Sequence, residues 1–236
     1  MKQATLFALL IVWSLAGCSN LPEITPLPCE LDVSLTDDGW LLYTTHDYRG
    51  ALSRFDEALR QGCSTTDAYN GKGWVYARMD SLSQAQVQFT LSIEKNLSVV
   101  DAFAGRAAVN LELGNYERAI KDAESVLSLK ANYVFVRDIT VTAWDVHLII
   151  AQASYHLAVT EKDPRKAKEY YRKAQEKVDL LKPDNGLDPE KSATWKVGKR
   201  TFGSYEEALL LAIEALDTSI KASKVNFFLD KATILL

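Results

Sequence analysis

Small residues recur along the first half of the chain at a fixed spacing of 34 residues. Three registers keep this spacing: Gly39, Gly73 and Ala107; Tyr48, Leu82 and Tyr116; and Ala51, Ala85 and Ala119. Small side chains at two fixed positions per copy allow two antiparallel helices to approach closely, because the distance between packed helices depends on the side chains at their contact. The pattern therefore predicts three helical hairpins, over residues 32–65, 66–99 and 100–133.

An aromatic residue follows the second small position by four residues in the first two copies, at Phe55 and Phe89. These rings are predicted to fill the space between one hairpin and the next, where each contributes about 1.5–3 kcal/mol if fully buried. The third copy differs, because it has Ala123 at this position. In the tetratricopeptide repeat, which this pattern resembles, Asn110 stands where an aromatic is usual and Arg106 where a leucine is usual. We therefore expect the seam after the third copy to be packed differently.

The period and the small/aromatic pattern resemble the tetratricopeptide repeat. The resemblance implies an all-α fold in which antiparallel helix hairpins stack into a right-handed α-solenoid, with the first helix of each hairpin lining the concave face. Five residues are expected to face a groove for a protein or peptide partner: Trp40, Tyr43, Asn70, Trp74 and Arg78. The alternative is that Trp40 and Trp74 pack against adjacent helices as ordinary core.

Residues 1–17 have the pattern of a secretory signal peptide, with one basic residue, a short apolar run and small residues at the end. The ending Leu15-Ala16-Gly17-Cys18 is similar to the lipobox of bacterial lipoproteins. That resemblance implies cleavage before Cys18, a diacylglycerol on its sulfur and an acyl chain on its nitrogen, with no other cofactor. Ser19 after the cysteine favours the outer membrane. An ordinary secreted protein is the alternative.

Residues 18–31 contain Pro22, Pro26 and Pro28 and are predicted to form an extended tether between the lipid and the repeats.

Cys29 and Cys63 flank the first predicted hairpin, whose two ends lie side by side. In an oxidising compartment a disulfide between them is possible, and it would stabilise the hairpin by roughly 3–4 kcal/mol. Two unrelated free thiols are the alternative.

The register breaks after Tyr133, because Ala167 follows Ala119 by 48 residues instead of 34. Residues 134–183 are therefore predicted to hold an insertion of about fourteen residues and a degenerate fourth hairpin, with helices over 143–160 and from Asp163-Pro164 to 181. Residues 184–236 are predicted to form an irregular segment and C-terminal capping helices. The part around Gly198 fits either a small β-hairpin or an irregular helix. One helix is expected over 205–222, followed by an apolar segment over 225–236 whose Phe227, Phe228 and Leu235 would cover the open end.

The sequence shows no motif that indicates catalysis or a metal site. His46, His147 and His156 are scattered, and none has the spacing of a metal-binding pair. The segment Gly71-Lys72-Gly73 lacks the other residues of a phosphate-binding loop. The net charge of −4 gives no reason to expect nucleic acid as a partner. We therefore expect a protein that is not an enzyme.

These observations favour a membrane-anchored scaffold or adaptor that acts in cell-envelope assembly, in pilus, secretion, outer-membrane or peptidoglycan machinery. It would be lipid-anchored in the outer membrane and face the periplasm. Two other functions stay open: an enzyme with a site in residues 134–203, and a carrier that holds a small ligand in the concave groove.

Overall fold

The computed structural model describes residues 30–62 and 65–234, with side chains described over 35–62 and 65–221. This part of the chain is an all-α solenoid in which successive helices pack in pairs. The helices are α1 (Glu30–Thr44), α2 (Tyr48–Gln61), α3 (Thr65–Arg78), α4 (Leu82–Lys95), α5 (Val100–Glu112), α6 (Tyr116–Leu129), α7 (Ala143–Thr160), α8 (Pro164–Leu181) and α9 (Tyr205–Ile234). Cys18, Cys29, Cys63 and Leu235 lie outside the described residues.

The turn inside each of the first three hairpins has the same backbone conformation. His46, Asp80 and Gly114 are 34 residues apart and have positive φ angles of 65°, 57° and 74°. Only glycine adopts this left-handed region without steric cost, so the first two turns retain a strained residue that the third avoids. The shared turn keeps the two helices of each hairpin in the same relation along the array.

Phe55 and Phe89 lie between successive hairpins, as the sequence predicts, and both are fully buried. The ring of Phe55 lies against Gly39 on α1 and Gly71 on α3, and the ring of Phe89 lies in the same way against Gly73 and Gly105. The small register residues therefore make room for an aromatic ring from the second helix.

The third hairpin departs from this pattern through a buried polar cluster. Arg106 on α5 donates to both carboxylate oxygens of Asp122 on α6, at 2.9 and 2.8 Å. Asn110 also donates to Asp122, at 3.0 Å, and Arg106 reaches Thr90 on α4 at 3.1 Å. Ala123 is fully buried beside this cluster. Two of the unusual residues of the third copy, Arg106 and Asn110, thus share Asp122 as their acceptor.

The insertion predicted after Tyr133 forms a compact loop. Residues 133–142, called here the insertion hairpin, fold back so that Ala143 N donates to Tyr133 O at 2.8 Å and Phe135 N donates to Val141 O at 2.9 Å. Tyr133 and Phe135 are buried, whereas Val134 and Val136 between and after them are exposed. This alternation is that of a β-strand with one face on a core.

Helices α7 and α8 have the predicted bounds. Thr142 and Asp145 form a reciprocal capping box at the start of α7, and Asp163 caps α8 with Pro164 at its first position. α7 carries buried residues on opposite sides: Ile150 belongs to the core of the first three hairpins, whereas Ala151 and Tyr155 belong to a second core with α8 and α9.

The irregular segment ends in a small β-hairpin, β1 (Lys196–Val197) and β2 (Arg200–Thr201), with Gly198 at φ +61° in its turn. A short 3-10 helix, Ser192–Thr194, precedes it.

The prediction of a separate segment after residue 222 is wrong, because α9 runs unbroken to Ile234. The stretch Ala222-Ser223-Lys224 contains no proline or glycine to end it. The side chains of Phe227 and Phe228 lie outside the described part.

None of the helices described is both long and apolar enough to span a membrane.

Candidate functional site: the concave face

The first helices of the hairpins line the concave side of the array. α1 contacts α3, α3 contacts α5 and α5 contacts α7, whereas contacts between successive second helices are few or absent among the described residues. The array is therefore more closely spaced on the side of the first helices. This geometry places the five predicted groove residues, on α1 and α3, along one face.

The expectation that the two groove tryptophans are exposed is wrong. Trp40 is 1% exposed and Trp74 is 6% exposed, and Tyr43 and Asn70 are also buried. Of the five predicted residues only Arg78 keeps a substantially exposed side chain, at 40%. The adjacent helices explain only part of this burial, because the insertion hairpin lies over the same face.

Phe135 of the insertion hairpin fills the space between the two tryptophans. Its ring stacks on Trp74 with centroids 4.4 Å apart and planes 18° apart, and it meets Trp40 nearly edge-on at 5.8 Å. Trp40 also contacts Phe55 and Tyr43 edge-on. We call the space bounded by Trp40, Asn70 and Trp74 the aromatic slot. In this structure Phe135 occupies it.

Charged contacts hold the tip of the insertion hairpin on the array. Arg78 forms an ion pair with Asp138 and donates through Nε to the Tyr43 hydroxyl at 3.1 Å. Arg137 pairs with Asp37 at 3.2 Å, and its guanidinium lies 5.5 Å from the centre of the Trp40 ring. Both ion pairs are partly exposed, so each contributes about 0–1 kcal/mol.

Two polar atoms in the aromatic slot are buried without a hydrogen-bond partner among the described residues. They are the Asn70 side-chain oxygen and the Trp74 indole nitrogen, which lie one helical turn apart on α3. The matching nitrogen of Trp40 is satisfied, since it donates to Asp67 at 3.0 Å. Most buried polar groups in proteins are paired, and within the described residues Gln88, His147 and Ser154 also have a buried side-chain atom without a partner.

Two half-buried carboxylates, Asp67 and Asp101, lie near Arg137 of the insertion hairpin. Burial raises the pKa of Asp67 above its ordinary value of 3.8, against the lowering effects of the Trp40 hydrogen bond and of Arg137. Burial likewise raises the pKa of Asp101, against Tyr133 and Lys130. Burial also raises the pKa of the Tyr133 hydroxyl, and the Asp101 carboxylate raises it further. Both carboxylates therefore take up a proton at a higher pH than an exposed aspartate does.

An open groove lies beside the aromatic slot, between α3, α5, α7 and α9. It is a cavity of about 500 Å³ with Trp74 and Arg78 at one side. Its lining includes Ala104, Ala108 and Glu112, which are 34 residues beyond the predicted groove residues Asn70, Trp74 and Arg78. Small residues at the positions of Asn70 and Trp74 leave this part of the face unfilled.

Sequence reasoning missed the groove residues of the third hairpin and of α7, among them Ala104, Ala108 and Asp145. The 34-residue register contained the signal for α5, since Ala104 and Ala108 follow Asn70 and Trp74 by one period. Sequence reasoning also missed Phe135, Arg137 and Asp138. Their positions depend on where the insertion hairpin, which is distant in sequence from α1 and α3, docks.

The histidines do not converge on a common site. His156 stacks on Tyr116 with centroids 4.7 Å apart, His46 lies in a turn, and burial lowers the pKa of His147. Within residues 30–62 and 65–234, no group of three or more His, Cys, Asp or Glu side chains is placed to hold a metal ion. Gly71 and Gly73 are explained by their contacts with the phenylalanine rings.

Comparison with known proteins supports the repeat. Residues 100–133 match the family model of the tetratricopeptide repeat. The chain is 23% identical over 125 residues to serine/threonine-protein phosphatase 5 of Rattus norvegicus, which covers 53% of this chain and 24% of that protein. It is 26% identical over 149 residues to human neutrophil cytosol factor 2, covering 63% and 27%. The chain thus spans about a quarter of the length of these relatives.

Solved structures show the same fold. A crystal structure of MamA protein aligns over 85% of this chain and 90% of its own, with 15% identity and a TM-score of 0.51. A tetratricopeptide repeat protein from Parabacteroides merdae aligns over 83% and 63%, with 14% identity and a TM-score of 0.50. At this level of identity the likeness concerns the fold alone.

Proposed function

We propose that this protein is a non-catalytic scaffold that binds a segment of a partner protein in the open groove. Tetratricopeptide repeats generally mediate protein–protein interactions, and the fold generally serves as a non-catalytic interaction scaffold. The observation that carries the proposal is the cavity of about 500 Å³ on the concave face, where the repeat register places Ala104 and Ala108.

The lining of the open groove favours a peptide with an apolar anchor. Its floor is apolar, with Val109, Val141 and Ile149 beside the alanines, and its rim carries Arg78 and Glu112. An apolar side chain would displace water from the floor, and rim charges of both signs would orient polar groups beside it.

A variant that fills the groove tests this function. Ala108 is half-buried on the groove floor, so Ala108→Arg should occupy the cavity while its long side chain reaches solvent. Leu97→Arg is the matched control, because Leu97 is 73% exposed between α4 and α5, away from the groove. In pull-downs from membranes, the wild type and Leu97→Arg should retain a stoichiometric partner that Ala108→Arg loses. Equal capture by all three proteins would contradict the proposal.

We further propose that the scaffold is lipid-anchored at Cys18 and acts in cell-envelope assembly on the periplasmic side of the outer membrane, with Cys29 and Cys63 bonded. The lipobox-like Leu15-Ala16-Gly17-Cys18 and the following Ser19 support the anchor. An attachment by two or more acyl chains is stable, whereas one chain binds only marginally. Metabolic labelling with a fatty-acid analogue should mark the wild type and not Cys18→Ala. A labelled mutant would remove the anchor from the proposal.

A further inference from the structure

The concave face is open at the third hairpin and closed at the first two, where the chain's own insertion hairpin covers it. We propose that the insertion hairpin is an internal ligand of the aromatic slot, and that the slot takes a turn-forming segment of a partner protein when the hairpin is displaced. The partner segment would carry an aromatic residue and, two positions later, a basic one. The inference rests on the proposed scaffold function and adds a second, regulated site to it.

The hairpin itself shows which chemistry fits the slot. Phe135 enters between the tryptophans, and Val136 points outward with 71% of its surface exposed. Arg137 then meets Asp37 and the face of Trp40, and Asp138 meets Arg78. These four consecutive residues form a turn, in which Asp138 N donates to Phe135 O at 3.1 Å. Three of them contact the array through an aromatic, a basic and an acidic side chain, and Val136 faces solvent. A partner segment with the same order of side chains would make the same contacts.

Displacement requires the tip of the hairpin, with the fully buried Phe135, to leave the folded array. The base of the hairpin is fixed by the buried Tyr133 and by the hydrogen bond from Ala143 N to Tyr133 O. Beyond the base, the contacts with α1 and α3 are the Phe135 ring, the Arg137 guanidinium over Trp40 and two partly exposed ion pairs. Surface ion pairs hold weakly, so Phe135 carries most of the attachment of the tip.

The floor of the slot retains unused hydrogen-bonding capacity while the hairpin is in place. The Asn70 oxygen accepts no hydrogen bond and the Trp74 indole nitrogen donates none among the described residues. A partner segment that brought a backbone N–H and a backbone C=O to these two atoms would satisfy the acceptor and the donor. A partner segment therefore has two bonds to gain that the hairpin does not make, which gives it a means to compete.

A peptide competition on the purified full chain tests the inference. The probe is a fluorescently labelled linear peptide with the sequence of residues 131–143, and the control probe replaces its phenylalanine by alanine. Apparent affinity falls in proportion to the fraction of molecules with an open slot. The wild type should bind the probe weakly, the double variant Arg137→Ala/Asp138→Ala more tightly, and Phe135→Ala the most tightly, by about tenfold over the wild type.

Val136→Ser is the matched control, because it alters an outward residue of the same hairpin and should bind the probe as the wild type does. Circular dichroism checks the fold of each variant, and the double variant keeps the test valid if Phe135→Ala does not fold. The inference is overturned if the opened variants bind no more probe than the wild type, or if the alanine probe binds them equally well. This readout uses no natural partner, so it is independent of the Ala108→Arg experiment on the open groove.

Discussion

The ring of Phe55 lies against the backbone of two glycines on successive first helices, and no space remains there for a side chain. A Cβ atom built on Gly71 would lie 2.2 Å from Cζ of Phe55, and one built on Gly39 would lie 2.6 Å from Cε1. The neighbouring atoms belong to a fully buried ring that cannot move aside cheaply. These glycines are therefore required by packing and not by backbone conformation.

Gly71→Ala should destabilise the protein by about 1–3 kcal/mol, because overpacking outweighs the gain of about 1 kcal/mol in helix propensity. Phe55→Leu in the same chain should recover part of the loss by making room for the new methyl group. Urea unfolding of the two single variants and the double variant measures this coupling. Purely additive effects would show that ring and glycine do not press on one another.

Asp67→Asn should make stability less dependent on pH. The folded protein holds the pKa of Asp67 above its ordinary value of 3.8, so the native state binds more protons than the unfolded state just above that value. Stability from this group is therefore fully present below the ordinary pKa and is lost as pH rises through the raised one. The asparagine oxygen can still accept from Trp40. Melting temperatures between pH 4 and about 7 should fall less for the variant than for the wild type; an unchanged slope would contradict the assignment.

At the scale of elements, the three helices α4, α5 and α6 are joined by polar contacts as well as by an aromatic ring. The Arg106 side chain is 20% exposed and that of Asp122 is 7% exposed. Breaking a buried ion pair leaves an uncompensated charge, whereas replacing both partners by apolar residues is often tolerated.

Asp122→Ala should therefore destabilise the third hairpin by about 3–5 kcal/mol, since Arg106 and Asn110 both lose their acceptor. The double variant Arg106→Met/Asp122→Leu should retain far more stability than the single variant. Chemical denaturation of the single and the double variant measures this difference in stability. If the double variant is the weaker one, the pair stabilises the fold in its own right.

The sequence predicted the elements whose signals are local. The 34-residue register located the first three hairpins, and Asp163-Pro164 marked the start of α8. Prediction from the sequence failed where contacts join residues that are distant in sequence. The length of the insertion was readable from the break in register, but the docking of Phe135 on Trp74 was not, because it depends on a loop that returns to α3. The same docking buried the two tryptophans that the repeat pattern alone placed at an open groove.

At the scale of the whole molecule, α7 joins two hydrophobic cores. Ile150 packs in the core shared with α1–α6, whereas Ala151 and Tyr155, on neighbouring positions of the same helix, pack with α8 and α9. Repeat arrays gain stability from nearest-neighbour interfaces, so a helix buried on both sides couples the units that it separates.

Ile150→Ala and Leu209→Ala, one in each core, should each lower the midpoint of the same single unfolding transition, with losses of about 2–5 kcal/mol. Trp195 packs against the second core, so all variants carry Trp195→Phe and the change in tryptophan fluorescence then reports on the buried Trp40 and Trp74 of the first core. Far-UV circular dichroism reports on all helices. The two signals should coincide in urea for both variants. A fluorescence transition that is unaffected by Leu209→Ala would show two independent units.

The contacts of Phe55 and Phe89 with the paired glycines also set the curvature of the array. Each ring acts as a spacer of fixed thickness between hairpins, and the angle between neighbouring hairpins follows from that thickness. A thinner side chain at either position would let neighbouring hairpins tilt toward each other. The tilt would change the width of the concave face, which the first helices line. Core residues that do not contact a partner can thereby change which partner segments the concave face binds. Mutations at Phe55 or Phe89 are a way to alter this selectivity.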